Sequence, residues 1–127
     1  MNHVVLDSGG LIALERDDRA VWAALKLAAL NGTDVLVPST ALAQVWRGTP
    51  RQARLAQALR SCVLAPFDGL SRAVGELCGR TKTADICDAH VAIVAAAGGR
   101  VLYTSDPGEM RRLLAACGAR TLTIIRC

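Results

Sequence analysis

The sequence predicts an α/β protein of three layers, a short parallel sheet flanked on both faces by helices. Three features carry that prediction. Short apolar runs alternate with longer helix-patterned segments from one end of the chain to the other. Those runs lack the polar alternation of a sheet with one wet face, so both faces are expected to be covered. Gly, Pro, Asp or Ser stands at most junctions between them. At 127 residues the chain is long enough for one real core, read as a single domain over 1–127.

His3–Leu6 reads as the first strand, closed by Asp7-Ser8-Gly9-Gly10 and followed by a helical turn over Leu11–Glu15. Asp17 or Asp18 caps a second helix, Arg19–Leu30, which Asn31-Gly32 stops. Asp34–Val37 is the next strand, ended by Pro38. Ser39 is expected to cap a helix over Thr40–Arg47, broken by Gly48-Thr49-Pro50. Pro50 suits the first turn of another helix running to Arg60, with Ala53, Leu55, Ala56 and Leu59 on its apolar face. Cys62–Ala65 is a strand ended by Pro66. Ser71–Arg80 and Asp85–Ala97 are helices, the latter strongly apolar and terminated by Gly98-Gly99. Strand Val101–Thr104, helix Pro107–Cys117 and strand Thr121–Ile125 complete the series.

Composition narrows the class. Hydrophobic residues make up 52% of the chain and aromatics only 3%, so the core is aliphatic and rich in Ala, as suits helices packed on a sheet. No run approaches the roughly 18–20 apolar residues that span a bilayer. The opening Met1–Leu6 has no basic stretch and meets Asp7 at once, so it is not read as a signal peptide, and a cytoplasmic protein with no membrane partner is expected. Five cysteines (Cys62, Cys78, Cys87, Cys117 and Cys127) form no CxxC pair and are expected to be buried, reduced thiols, Cys127 being the one candidate for exposure. The net charge of +4, carried mostly by Arg, favours an anionic partner. Neither GxxxxGK[ST] nor GxGxxG occurs, which argues against an NTPase or a dinucleotide enzyme.

The acids hold the chemistry. Asp7 and Asp106 each follow an apolar strand, and if those strands are parallel both carboxylates emerge at one edge of the sheet. Asp85 and Asp88 lie three apart at the start of a helix and so share a face. Carboxylates gathered in one place repel each other and raise their own pKa values, a penalty that a hard divalent cation removes. Each acid also has a structural explanation. Asp106-Pro107-Gly108-Glu109 has the form of a capping box, Asp85 suits an N-cap with Asp88 favouring the helix dipole, and Asp7 suits a cap on the next turn.

Val4–Leu14, with Asp7-Ser8-Gly9-Gly10 at its centre, resembles the opening of PIN-domain proteins. Asp85-Ile86-Cys87-Asp88-Ala89-His90-Val91-Ala92, followed by Val101-Leu102-Tyr103-Thr104-Ser105-Asp106, resembles their second half, in the same order and over nearly the whole chain. The length is similar to that of the VapC-type toxins of toxin–antitoxin pairs. The resemblance implies a PIN-like fold and an endoribonuclease that uses Mg²⁺ or Mn²⁺ to cut RNA. It also implies a homodimer silenced by a cognate antitoxin. Carried over, Asp7, Asp88 and Asp106 are the catalytic, metal-holding acids and Asp85 a candidate to assist them. Thr104 or Ser105 is a polar contact near the metal or phosphate. One position departs from the pattern: Gln44 stands where the family has a Glu. Its amide can still hold a metal-bound water, and Glu15 or Asp85 can supply the missing charge. The alternative is a weakened or inactive PIN-like module that binds RNA or an antitoxin without cutting.

Other residues are weighed more briefly. Trp46 and Arg47 are candidates to line an RNA groove, with Trp46 equally suited to the core or a dimer interface, as is Trp22. Arg47, Arg51 and Arg54 form either a phosphate- or antitoxin-facing patch or a solvated helix face. His90, two residues past Asp88, points away from that carboxylate on a helix and is assigned to packing or surface; His3 is assigned no chemistry.

Overall fold

The computed structural model describes residues 3–119 and 121–127; Met1 and Asn2, at the head of the opening segment, and Arg120 lie outside the described residues. Five strands, β1 (His3–Leu6), β2 (Val35–Pro38), β3 (Val63–Ala65), β4 (Gly99–Thr104) and β5 (Thr123–Arg126), form one sheet in the order β3-β2-β1-β4-β5. Every neighbouring pair is parallel, with Val4 opposite both Val35 and Val101. Among the described residues the helices are α1 (Ser8–Glu15), α2 (Arg19–Leu30), α3 (Ser39–Val45), α4 (Ala53–Leu59), α5 (Ser71–Thr81), α6 (Ile86–Ala96) and α7 (Pro107–Ala116). They fall into two groups, α1 with α2, α3 and α4, and α6 with α5 and α7, joined where α3 packs on α6. None is long and apolar enough to cross a membrane.

The order of the strands determines where a ligand can sit. The chain winds outward from β1 through β2 to β3, then crosses back to place β4 on the other side of β1 and continues outward to β5. The winding therefore reverses between β1 and β4. In open parallel sheets the loops at the carboxyl ends of two such strands run apart and leave a crevice. Asp7 directly follows β1 and Asp106 lies two residues past β4, so both stand at that crevice.

The core is aliphatic, as the composition implied: Val5, Leu6, Leu11, Leu14, Leu55, Leu77, Val91, Leu102, Met110 and Leu113 are closed to solvent. Trp22 and Phe67 pack only partly against it. The five cysteines are free, as expected, and half-buried, including Cys127, which was the candidate for exposure.

Several boundaries differ from those the sequence predicted, each for a local reason. Helix α1 begins at Ser8, three residues early, because the Asp7 carboxylate accepts the Gly10 N–H at 3.0 Å and caps the turn there. Ser39 is not a cap: Pro38 holds that position with no side-chain bond, and the Ser39 hydroxyl instead accepts the Phe67 N–H at 3.0 Å. Helix α3 stops at Val45, short of Arg47. The expected helix from Pro50 to Arg60 is a 3-10 turn (Pro50–Gln52) running into the shorter α4. Its buried face is Gln52, Leu55 and Ala58, with Ala53 in solvent and Ala56 and Leu59 half-buried. Gly99 belongs to β4, not to a terminating turn. A Cβ there would lie 2.6 Å from the Ala95 carbonyl oxygen, so only Gly lets the strand leave the end of α6 so closely.

Candidate active site

A cleft of about 780 Å³ opens at the carboxyl ends of β1 and β4. Asp7, Asp88 and Asp106 line it, together with Ser8, Glu15, Gln44, Arg47, Arg51 and Ser105 among others. Residues 7, 88 and 106 come from three separate parts of the chain, and the sheet order together with the placement of α6 brings them to one hollow.

Asp7 is the most enclosed of the three, 5% exposed. Burial pushes its pKa upward and the Asp106 charge adds to this, against the Thr104 hydroxyl and the backbone N–H groups of Gly10 and Gly9, which favour the carboxylate. Thr104 is fully buried. Its hydroxyl accepts the Asp106 N–H at 3.0 Å and favours the carboxylate form of Asp7, so one small side chain stands beside both strand-end acids. Asp106 also caps α7, accepting the Glu109 N–H at 3.2 Å, which completes the expected capping box without withdrawing Asp106 from the cleft.

Asp88 sits in the first turn of α6. Its pKa is pushed up to about 7, first by burial and then by the neighbouring Asp85, with Asp7 and Glu109 adding smaller like-charge effects. Asp85 caps α6, its carboxylate accepting the Asp88 N–H at 2.9 Å; it abuts Asp88 and does not line the cleft. Among the described residues, no three His, Cys, Asp or Glu side chains are grouped so as to hold a metal ion as they stand.

Gln44 reaches the cleft from α3, its amide carbonyl accepting the Ser8 hydroxyl at 2.5 Å. Glu15 lies in the same cleft, tied to Gln52, which donates to it at 2.9 Å. Gln52, for which the sequence carried no signal, is the organiser of this wall. Although 4% exposed, it donates to the Val45 carbonyl at 2.9 Å and accepts the backbone N–H groups of Arg47 and Gly48 at 2.7 and 3.1 Å. It thereby pins the loop after α3 against α1. A buried amide that satisfies backbone groups cannot be told from a surface Gln by pattern alone.

Arg47 and Arg51 line the cleft; Trp46 does not, and stands partly exposed next to Gly48. Ser105 lines it where α1 meets β4. A Cβ on Gly9 would lie 2.7 Å from the Ser105 backbone nitrogen, so the contact depends on glycine. His90 packs inside, fully buried, with its ring nitrogens 2.7 Å from the Thr40 hydroxyl and 3.3 Å from the Pro66 carbonyl, and it takes no part in the cleft. Burial lowers its pKa, against the Pro66 carbonyl, which raises it.

Fold and cleft together define a parallel α/β protein with an acid-floored, Arg-walled crevice at its topological switch point. A search of the solved structures finds the same fold in a chain of VapBC2 from Rickettsia felis bound to a DNA fragment from their promoter, with a TM-score of 0.71 and 18% identity over 100% of this chain and 99% of that one. No family model and no curated protein matches this sequence.

Proposed function

We propose that this protein is a Mg²⁺- or Mn²⁺-dependent endoribonuclease, the toxin of a toxin–antitoxin pair. The observation that carries the reading is the meeting of Asp7, Asp88 and Asp106, from three distant segments, along one cleft at the β1/β4 switch point. Support for the pairing comes from the shared fold with a chain of VapBC2. On this reading the partners are RNA, a cognate antitoxin and a second copy of the chain, in the cytoplasm.

The donor set suits a hard cation. Asp7, Asp88 and Asp106 are all-oxygen ligands with a mutual repulsion that a divalent charge relieves. Mg²⁺ keeps several of its waters and is held by one or two carboxylates plus substrate phosphate, so a tight protein cage is not required. When bound, such an ion supplies Lewis acidity at the phosphate and a water acidified for attack.

The chain's own residues do the rest. Thr104 accepts the Asp106 N–H beside Asp7, and the Gly10 N–H holds Asp7 Oδ1 in place at the cleft. Arg47 and Arg51 offer guanidinium charge to the substrate's phosphates from the opposite wall. Burial and the neighbouring Asp85 push the Asp88 pKa up to about 7, so this carboxyl holds a proton more tightly than an ordinary Asp.

A second reading rests on Gln44. With a neutral amide where a fourth acid is expected, and its carbonyl engaged by Ser8, the cleft is short of one charge, as in a module that binds RNA without cutting it. Incubating the protein with a panel of single-stranded and structured RNAs separates the two. Cleavage in Mn²⁺, abolished by EDTA and by Asp7→Asn, is expected. Cleavage that persists in EDTA, or RNA binding with no cutting in Mn²⁺ or Mg²⁺, would overturn the nuclease assignment.

A further inference from the structure

A second hollow, of about 500 Å³, lies outside the cleft and takes no part in the chemistry described above. Arg19, Trp22 and Lys26 from α2, Arg54 and Gln57 from α4 and Asp17 from the turn before α2 line it. Three cations face one anion. The single ion pair among the described residues is Arg112–Glu109, on α7, so none of these three cations is neutralised by a salt bridge.

The position of this hollow matters as much as its charge. The acidic cleft is walled by Glu15, at the end of α1, and by Arg51, just before α4. The hollow is walled by Asp17, two residues beyond Glu15, and by Arg54, three residues beyond Arg51. The chain just after α1 and the start of α4 therefore border both, with Arg51 on the cleft and Arg54 on the hollow. Trp22 lines the hollow with Arg54. Its indole N–H donates to the Leu14 carbonyl at 3.1 Å, which fixes the ring while leaving it partly exposed in the hollow. Fixed aromatic faces beside unpaired cations are the elements from which single-strand sites are built, bases stacking while guanidinium and ammonium groups track the backbone.

We infer that the α2–α4 hollow is a binding site for single-stranded RNA, which receives the backbone flanking the segment held in the acidic cleft. This rests on the nuclease reading for the identity of the ligand, but it concerns different residues and can fail separately. The partner argued for is RNA, not protein, because the hollow gathers charge: apart from Trp22, its named lining offers no large apolar side chain for a helix to cover. An anionic, extended ligand is also what the neighbouring Arg47–Arg51 wall would hand on.

The test uses the full chain carrying Asp7→Asn, so that RNA is bound and not cut, with fluorescent single-stranded RNAs of about 4 and about 12 nucleotides measured by anisotropy across a salt series. Adding Arg19→Ala, Lys26→Ala and Arg54→Ala together should weaken the long RNA about tenfold or more. The slope of log K against log salt should become shallower by about 2, because each single-strand phosphate that a cation neutralises contributes about 0.7 to it. Binding of the short RNA, which fits the cleft alone, should not change. Arg54→Glu alone should act in the same direction, and a thermal melt checks that each variant folds. Unchanged long-RNA affinity and slope in the triple variant would overturn the inference and assign the hollow to a protein partner. Mn²⁺-dependent cutting by the same triple variant with Asp7 intact would leave the nuclease reading standing in that case. Failure of the Asp7→Asn parent to bind either RNA would overturn both.

Discussion

Single residues in the cleft serve fold and site at once. Asp7 and Asp106 each spend an oxygen on a helix cap, which is why sequence reasoning could assign them to structure as readily as to chemistry. Asp88 shows the cost. Its carboxylate is held among other acids at a pKa of about 7, far above the usual carboxylate value, chiefly through burial and next through Asp85. A folded state that binds the proton more tightly than the unfolded chain is favoured at low pH. The contribution of this group is therefore fully present below about pH 4, falls away as pH rises towards 7, and is absent above that. The metal-free protein is expected to melt a few degrees lower at pH 7.5 than at pH 5 on this account. Asp88→Asn should flatten that dependence and raise the melting temperature at pH 7.5. Equal melting temperatures for Asp88→Asn and parent across this range would show that the carboxylate is not under strain.

At the scale of elements, the site depends on how closely α1 approaches β4. Gly9 lets the first turn of the helix rest on Ser105, and a methyl group there would meet the Ser105 backbone nitrogen as well as its Cβ and Oγ at 2.7 Å, so turning the side chain alone would not relieve the contact. Gly9→Ala is expected to cost about 1–3 kcal/mol, the usual range for overpacking, seen as a lower urea midpoint. Because Gly9 lies two residues from Asp7 and Ser105 is next to Asp106, the variant should also bind Mn²⁺ more weakly than parent by calorimetry. A stability loss with unchanged Mn²⁺ affinity would mean that this contact does not position the two acids. The loop between α3 and α4 has a comparable dependence on Gln52, whose amide accepts the Arg47 and Gly48 N–H groups and donates to the Val45 carbonyl where α3 ends. Arg47 and Arg51, in the segment that it holds, line the cleft.

For the whole molecule, the reversal of winding between β1 and β4 concentrates negative charge in a protein whose net charge is +4. A divalent ion that binds only the folded state stabilises it by mass action, about 2.7 kcal/mol at a hundredfold excess over its Kd. For a domain of this size that corresponds to a rise of roughly 10 °C in melting temperature. Mn²⁺ should raise the melting point of the parent at pH 7.5 by this order and that of Asp7→Asn by much less; an equal rise in both would place the ion elsewhere. Much of this was legible in the chain. Apolar runs with Asp behind two of them pointed to β1, β4, Asp7 and Asp106; of the two candidates Asp17 and Asp18 it is Asp18 that caps α2, and Asp106 caps α7 as expected. Periodicity and capping are local, set by residues a few positions apart, so sequence alone determined the elements, the aliphatic core and the list of acids. Strand order, the cleft that unites positions 7, 88 and 106, the link through Thr104 and the bonds of Gln52 join residues far apart in the chain. Their geometry is set by which strand lies beside which, and that only the packed tertiary structure decided.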